Sequence, residues 1–127
     1  MVLNQITLPS RDVARCAAFY RLLGFVQIVD APPRYARFEI PDGLATLSLE
    51  LGELPPGPGP VIFFECEDVD ATFEALRALG VIFDHPPRDQ DWLWREARLH
   101  DPDGNELCLY HAGENRRFPP WRLGSPR

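Results

Sequence analysis

Hydrophobic and polar positions follow the same order twice along this chain, fifty-six residues apart. The dipeptides Asp12-Val13 and Leu23-Gly24 return as Asp68-Val69 and Leu79-Gly80. In each copy, an apolar run typical of a strand precedes the aspartate, and apolar residues at helical spacing follow it. Each copy has an apolar face that it cannot bury alone, so the repeat predicts two modules that pack on each other or on a second chain.

In the first copy, the pattern predicts one helix and four strands. Ser10 and Asp12 offer N-cap side chains, and Gly24 follows the last apolar position of the helix face, where a left-handed cap is expected. In the last strand, polar residues alternate with leucines, which predicts one polar and one buried face. The strands are expected at residues 3–9, 25–29, 35–40 and 46–51.

The second copy has the same order, with Asp68 as the expected N-cap and Gly80 as the expected helix stop. Its strands are expected at residues 61–67, 81–84, 92–99 and 107–110. Both copies therefore have the order βαβββ. The proline- and glycine-rich segment 54–60 between them predicts a stiff, extended linker.

At 127 residues, the chain has room for one domain of ordinary size. The expected boundaries are a domain at 1–112, its modules at about 3–53 and 61–112, and a tail at 113–127. Phe118 and Trp121 in this tail favour burial. They either dock on their own domain or reach across a dimer.

Composition excludes several classes of function. A net charge of -6 argues against a nucleic-acid partner, which needs a basic face to displace counterions from phosphates. No apolar run approaches the roughly 20 residues of a membrane span, and the N-terminus has no signal-peptide pattern, so we expect a cytoplasmic protein without membrane contact. The three cysteines are widely spaced, which predicts free thiols.

Several short motifs resemble those of the vicinal oxygen chelate superfamily, which includes glyoxalase I, bleomycin-resistance proteins and extradiol dioxygenases. The matching segments are residues 12–13, 18–20 with 23–25, 68–70 with 79–81, and 101–105. The resemblance implies an α+β fold in which two βαβββ modules form one cup-shaped domain of mixed sheet. It also implies a ligand and usually a divalent metal in the cup, and a homodimer.

The family's metal-ligand positions fall here on Gln5, on Ser48 or Glu50, on Val61 and on Cys108. Valine binds no metal, and an amide, a carboxylate and a thiolate together suit no common catalytic ion. No histidine stands at these positions, which argues against the iron chemistry of extradiol dioxygenases. We therefore expect no cofactor. The alternative is Zn, Ni, Co or Mn held by Gln5 and Glu50.

Strand alternation places further side chains in the expected cup. If Val61 points inward, Phe63 and Glu65 do as well. A carboxylate in apolar surroundings has a raised pKa, so Glu65 is a candidate general base. The alternative is that Glu65 pairs with an arginine across the sheet.

Two indoles are expected on one strand face, because Trp92 and Trp94 alternate with Leu93. With Arg98 beside them, they form a surface on which a planar or cationic ligand can stack. Tyr35 and Arg37 occupy the matching strand of the first module. The alternative is ordinary packing between strands.

The sequence leaves two functional hypotheses open. One is a metal-independent protein that binds a small molecule, as bleomycin-resistance proteins do. The other is a glyoxalase-like lyase or isomerase with an altered metal site. The residues expected to line the ligand site are Tyr35, Arg37, Ser48, Glu50, Phe63, Trp92, Trp94 and Cys108. The sequence does not name the ligand.

Overall fold

The computed structural model describes residues 1–124 and has the predicted α+β architecture of two βαβββ modules. The first module comprises β1 (Gln5–Ser10), α1 (Val13–Leu22), β2 (Val26–Ala31), β3 (Tyr35–Glu39) and β4 (Thr46–Leu51). The second comprises β5 (Val61–Glu65), α2 (Val69–Ala78), β6 (Arg88–Asp89), β7 (Arg95–His100) and β8 (Glu106–His111). A short 3-10 helix, Gly113–Arg116, follows. None of the described helices is long and apolar enough to span a membrane.

Both helices begin and end where the sequence predicts. The carboxylates of Asp12 and Asp68 each accept a hydrogen bond from the backbone N–H three residues further on, at 3.1 and 3.0 Å. Gly24 and Gly80 follow the helices with φ of +96° and +95°, a conformation that glycine adopts without steric cost. The buried face of α1 consists of Val13, Cys16, Ala17 and Tyr20.

The first sheet has the strand order β1-β4-β3-β2, with β1 parallel to β4 and the other pairs antiparallel. Leu47 and Leu49 of β4 are fully buried on one face, as the alternation predicts. Ser48, on the other face, is also fully buried, although the sequence predicted a solvent-exposed position for it. Neighbouring polar side chains cover it, as described below.

The second sheet has the equivalent order β5-β8-β7-β6. Strand β5 runs parallel to β8, so that Val61 pairs with Glu106 and Phe63 with Cys108. In this register, Phe63 and Cys108 lie side by side on one face.

Two predicted strands of the second module are wrong. Residues 81–84 contain only an isolated bridge from Phe83, and β6 is a two-residue strand further along the chain. The strand expected at 92–99 begins at Arg95, because Leu93 has a φ of +68°, which a strand does not accommodate. Trp92 and Trp94 therefore lie in the turn before β7 and not on a strand face.

The chain forms two compact units that do not coincide with the two copies. Among residues 1–124, the first unit contains 1–60 together with 100–105, and the second contains 61–99 and 106–124. The turn of the second copy, Asp101 to Asn105, thus belongs to the first unit. Within that unit, Asp103 accepts a hydrogen bond of 2.5 Å from Ser10, and Asp101 accepts one of 2.7 Å from Tyr20.

In the described part of the tail, the guanidinium of Arg122 lies 4.4 Å from the ring centroid of Phe118. Trp121 remains 57% exposed, so its ring is not buried on its own domain as one alternative expected. Residues 125–127 of the predicted tail lie outside the described part of the chain.

Candidate functional site

A chain of hydrogen bonds crosses the polar face of the first sheet. Thr46 donates to the amide oxygen of Gln5, and Gln5 Nε2 donates to Ser48 Oγ at 2.7 Å. Ser48 Oγ is 2.5 Å from the hydroxyl of Tyr35, which accepts a bond of 2.9 Å from Arg37 Nε. These five side chains lie on three adjacent strands, which the register brings together.

The register pairs Gln5 with Thr46, and of the two candidates Ser48 and Glu50 only Ser48 contacts its side chain. Ser48 is hydrogen-bonded to it, whereas Glu50 lies opposite Pro9 on β1 and Tyr35 on β3. Glu50 lines an open cleft of about 360 Å³ instead. The other lining residues are Thr7, Pro9, Leu51 and Gly52.

The groups beside Gln5 do not fit a divalent metal. Its amide oxygen already accepts from Thr46, and its amide nitrogen donates to Ser48 and, at 3.3 Å, to Thr7. The amide and the hydroxyls are neutral, and no carboxylate is among them, whereas catalytic metal sites in proteins rely on imidazole, thiolate or carboxylate ligands. The side chains at these positions stabilise one another.

The equivalent positions of the second sheet do not fit a metal either. Val61 has no donor atom. Burial, together with the negative charge of Glu96, raises the pKa of the Cys108 thiol to about 12. Because the thiolate is the form that binds metals, a thiol that stays protonated at neutral pH is a poor ligand.

A buried group of Cys16, Asp101 and Asp103 has ligand atoms within 4.8 Å of one another. Its carboxylates are already used by the protein. Asp101 accepts from the backbone N–H groups of Asp103 and Asn105, at 2.9 and 3.0 Å. Burial, and next the charge of Asp101, raise the pKa of the Cys16 thiol. We interpret the group as the anchor of a turn.

Three aromatic rings of the second module form a connected surface, which we call the aromatic face: Phe63 on β5, Tyr110 on β8 and Trp94 in the turn before β7. The ring centroid of Trp94 is 4.7 Å from that of Tyr110 and 5.7 Å from that of Phe63. Phe63 and Tyr110 meet edge to face at 5.4 Å. Phe63 keeps 40% of its surface exposed, so part of the aromatic face is open to a ligand.

A charged network borders the aromatic face. Glu96, only 2% exposed, accepts a bond of 2.7 Å from the indole Nε1 of Trp92. Arg98 bridges Glu96 and Glu106 at 3.2 and 3.1 Å, and its guanidinium lies 5.6 Å from the ring centroid of Phe63. The sequence predicted the cation beside the aromatic residues. The same alternation puts Glu96 on the face of Trp94 and Arg98, but the sequence did not assign it to the ligand site.

The expectation for the pKa of Glu65 is wrong. Burial acts to raise the pKa of this carboxyl, but backbone N–H donors from Ala112 and Gly113, both at 2.8 Å, and the charges of His111 and Arg116 outweigh it and lower the pKa. A carboxylate with a lowered pKa is a weak base. Glu65 caps the chain at the start of the 3-10 helix.

Comparison with known proteins identifies a relative of part of this chain. The uncharacterized protein YraH of Bacillus subtilis (strain 168) is 40% identical over 48 residues, which are 37% of this chain and 38% of that protein. The match therefore spans well under two thirds of the relative's length.

Solved structures share the fold at low identity. A bleomycin-binding protein complexed with bleomycin matches with a TM-score of 0.72 and 24% identity over 87% of this chain and 98% of its own. Lactoylglutathione lyase from Agrobacterium tumefaciens matches with a TM-score of 0.71 and 20% identity over 87% of this chain and 92% of its own. The family profile described as Glyoxalase/Bleomycin resistance protein/Dioxygenase superfamily matches residues 2–109. With this match and the two βαβββ modules together, the chain belongs to that superfamily.

Proposed function

We propose that this protein binds a planar aromatic small molecule on the aromatic face, without a catalytic metal ion. The observation that carries the proposal is the contact of Phe63, Trp94 and Tyr110, with Phe63 substantially exposed. Stacking on such rings adds to the burial of apolar area, at about 0.5–1.5 kcal/mol for each ring pair. Arg98, held by two carboxylates, gives the edge of this face a polar group that can orient a ligand.

The structural match to a bleomycin-binding protein supports ligand binding as the kind of function, and it makes bleomycin a reasonable probe. The alternative, a metal-dependent lyase or isomerase of the glyoxalase type, has less support. Gln5 and Ser48 are neutral and bonded to each other, and Cys108 has a raised pKa. None of these groups supplies the anionic ligand that such a site needs.

Indole resonances test the proposal directly. We expect metal-free bleomycin, or at least one member of a panel of flat bicyclic aromatic compounds, to shift the Nε1–H resonance of Trp94 saturably. Trp121 is the internal control, because it is exposed and lies in the tail. Trp94→Phe should weaken binding about fivefold, since a smaller ring loses stacking area, and Trp121→Phe should not change it. Equal shifts of the Trp94 and Trp121 resonances, or no shift with any compound of the panel, would contradict the proposal.

Metal analysis separates the two functions. Protein purified without chelator should contain far less than one equivalent of Zn, Ni, Co or Mn per chain. Gln5→Ala and Glu50→Ala should leave that content unchanged. Stoichiometric metal that disappears in either variant would favour the lyase or isomerase.

We further propose that the protein is a cytoplasmic homodimer, on the basis of the family resemblance and the three free cysteines. Sedimentation equilibrium should give twice the 14.5 kDa of the chain. A monomer at micromolar concentration would contradict the assembly. Fractionation of the source cells tests the location, and recovery of the protein outside the cytosolic fraction would contradict it.

A further inference from the structure

Arg37, on the first sheet, is half-buried but forms no ion pair with a carboxylate among residues 1–124. Arg37, Arg95 and Arg98 are the half-buried arginines of residues 1–124. Arg95 pairs with Asp70 and Asp89, and Arg98 with two glutamates. In the same part of the chain, no carboxylate forms an ion pair with Arg37. A charge withdrawn from water without a counter-charge is costly, so an anion at this place would stabilise it.

The guanidinium of Arg37 is nevertheless held in place. Its Nε donates to the hydroxyl of Tyr35, and its carbon lies 5.3 Å from the centroid of that ring. Arginine has five N–H donors, and the four on the terminal nitrogens make no hydrogen bond to another residue within 1–124. Two parallel N–H groups of this kind match a carboxylate or phosphate.

We propose that Arg37 and Tyr35 form a binding site for a small carboxylate or phosphate. The hydroxyls can supply a third donor. Gln5 donates to Ser48, and when Ser48 donates to Tyr35, the phenol oxygen accepts from Ser48 and from Arg37. The O–H of Tyr35 is then left to donate to the ligand.

This site explains why Gln5 and Ser48 are bonded to each other. They occupy positions where the family resemblance expects metal ligands, and here they position Tyr35 and, through it, Arg37. The positive charge that a metal ion would present to an oxyanion then comes from a guanidinium. The site lies in the first unit, whereas the aromatic face belongs to the second, so the two proposals succeed or fail separately.

Glu50 limits which anions fit. It pairs with Tyr35 across the strands, which places it diagonal to Arg37, and it lines the 360 Å³ cleft. Diagonal neighbours on a sheet lie roughly 7–8 Å apart, so this carboxylate disfavours highly charged anions. Glu50→Gln should therefore strengthen anion binding.

Titration with two simple anions tests the site. Inorganic phosphate and acetate are added to the full chain at matched ionic strength, with chloride as the reference, and the side-chain Nε–H resonance of Arg37 is followed by NMR. We expect a saturable shift with at least one of them and none with chloride. A stronger response to phosphate identifies phosphate ligands, and a stronger response to acetate identifies carboxylates.

Variants of Arg37 test whether its paired terminal N–H groups bind the anion. Arg37→Gln should weaken binding about tenfold or more, and Arg37→Lys, which keeps the charge, should also weaken it because the paired donors are lost. Arg34→Gln is the matched control, since Arg34 is exposed and its loss changes the net charge equally. A shift no larger than that in chloride, or equal weakening in Arg34→Gln, overturns the proposal.

Discussion

Cys108 stands where the family resemblance expects a metal-binding carboxylate, and its surroundings keep it a neutral thiol. It is fully buried, and Glu96 lies close enough to oppose a second negative charge. With a pKa of about 12, its thiolate fraction at neutral pH is on the order of 1000-fold below that of an ordinary cysteine. Burial first, and the charge of Glu96 second, therefore make Cys108 a poor metal ligand and a poor nucleophile.

The thiols should accordingly differ in reactivity. Burial raises the pKa of all three thiols, but Cys66 is only half-buried, whereas Cys16 and Cys108 are fully buried. At about pH 8, a disulfide reagent such as DTNB should modify at most one thiol per native chain, and all three after unfolding in urea. Glu96→Gln should speed the reaction of Cys108, because it removes the nearby charge. Rapid modification of two or more thiols in the native protein would contradict this interpretation.

At the scale of elements, Glu65 joins strand β5 to the chain that follows β8. Its carboxylate accepts from Ala112 and Gly113 and lies 3.9 Å from Arg116. The net lowering of its pKa means that the folded protein prefers the ionised form. The start of the 3-10 helix is thus stabilised by a charge.

The sign of the pH dependence follows from that preference. The pKa of Glu65 is lower in the folded than in the unfolded protein, so its ionised form stabilises the fold at any pH above the unfolded-state pKa of about 4.3. This stabilisation is lost as the pH falls through the folded-state pKa. The difference in unfolding free energy between wild type and Glu65→Gln should be constant near pH 7 and shrink below about pH 4.3. Urea titrations across this range measure it. A free-energy difference that grows on acidification would contradict the hydrogen bonds assigned to the Glu65 carboxylate.

Local signals explain which elements the sequence predicts correctly. The caps at Asp12 and Asp68 and the glycine stops depend on a few adjacent residues, and the structure confirms them. The strand expected at 92–99 was wrong because the left-handed turn at Leu93 accompanies a bond from Trp92 to buried Glu96, which the sequence alone does not reveal. The choice between Ser48 and Glu50 likewise depended on the pairing of β1 with β4, strands more than thirty residues apart.

For the whole molecule, the sequence predicted a duplication but not how the chain is divided between its compact units. The turn 100–105 belongs to the second copy in sequence and to the first unit in structure. Asp101 and Asp103 supply acceptors for the buried hydroxyls of Tyr20 and Ser10. A buried polar group that loses its partner costs about 1–3 kcal/mol, so the first copy alone lacks groups that its own core needs.

Cutting the chain in the linker 54–60 should therefore give a first fragment whose folding depends on the second. We expect residues 1–57 alone to show the narrow NMR dispersion of an unfolded chain, because Tyr20 and Ser10 lose both acceptors. Mixing with residues 58–127 should restore the dispersed spectrum. Asp101→Asn in the second fragment should weaken this recovery, since its amide offers one acceptor oxygen in place of two. Asp42→Asn in the first fragment, at an exposed turn, is the matched control and should leave it unchanged. If residues 1–57 fold alone, the turn 100–105 is not required for folding, and the first copy does not depend on the second.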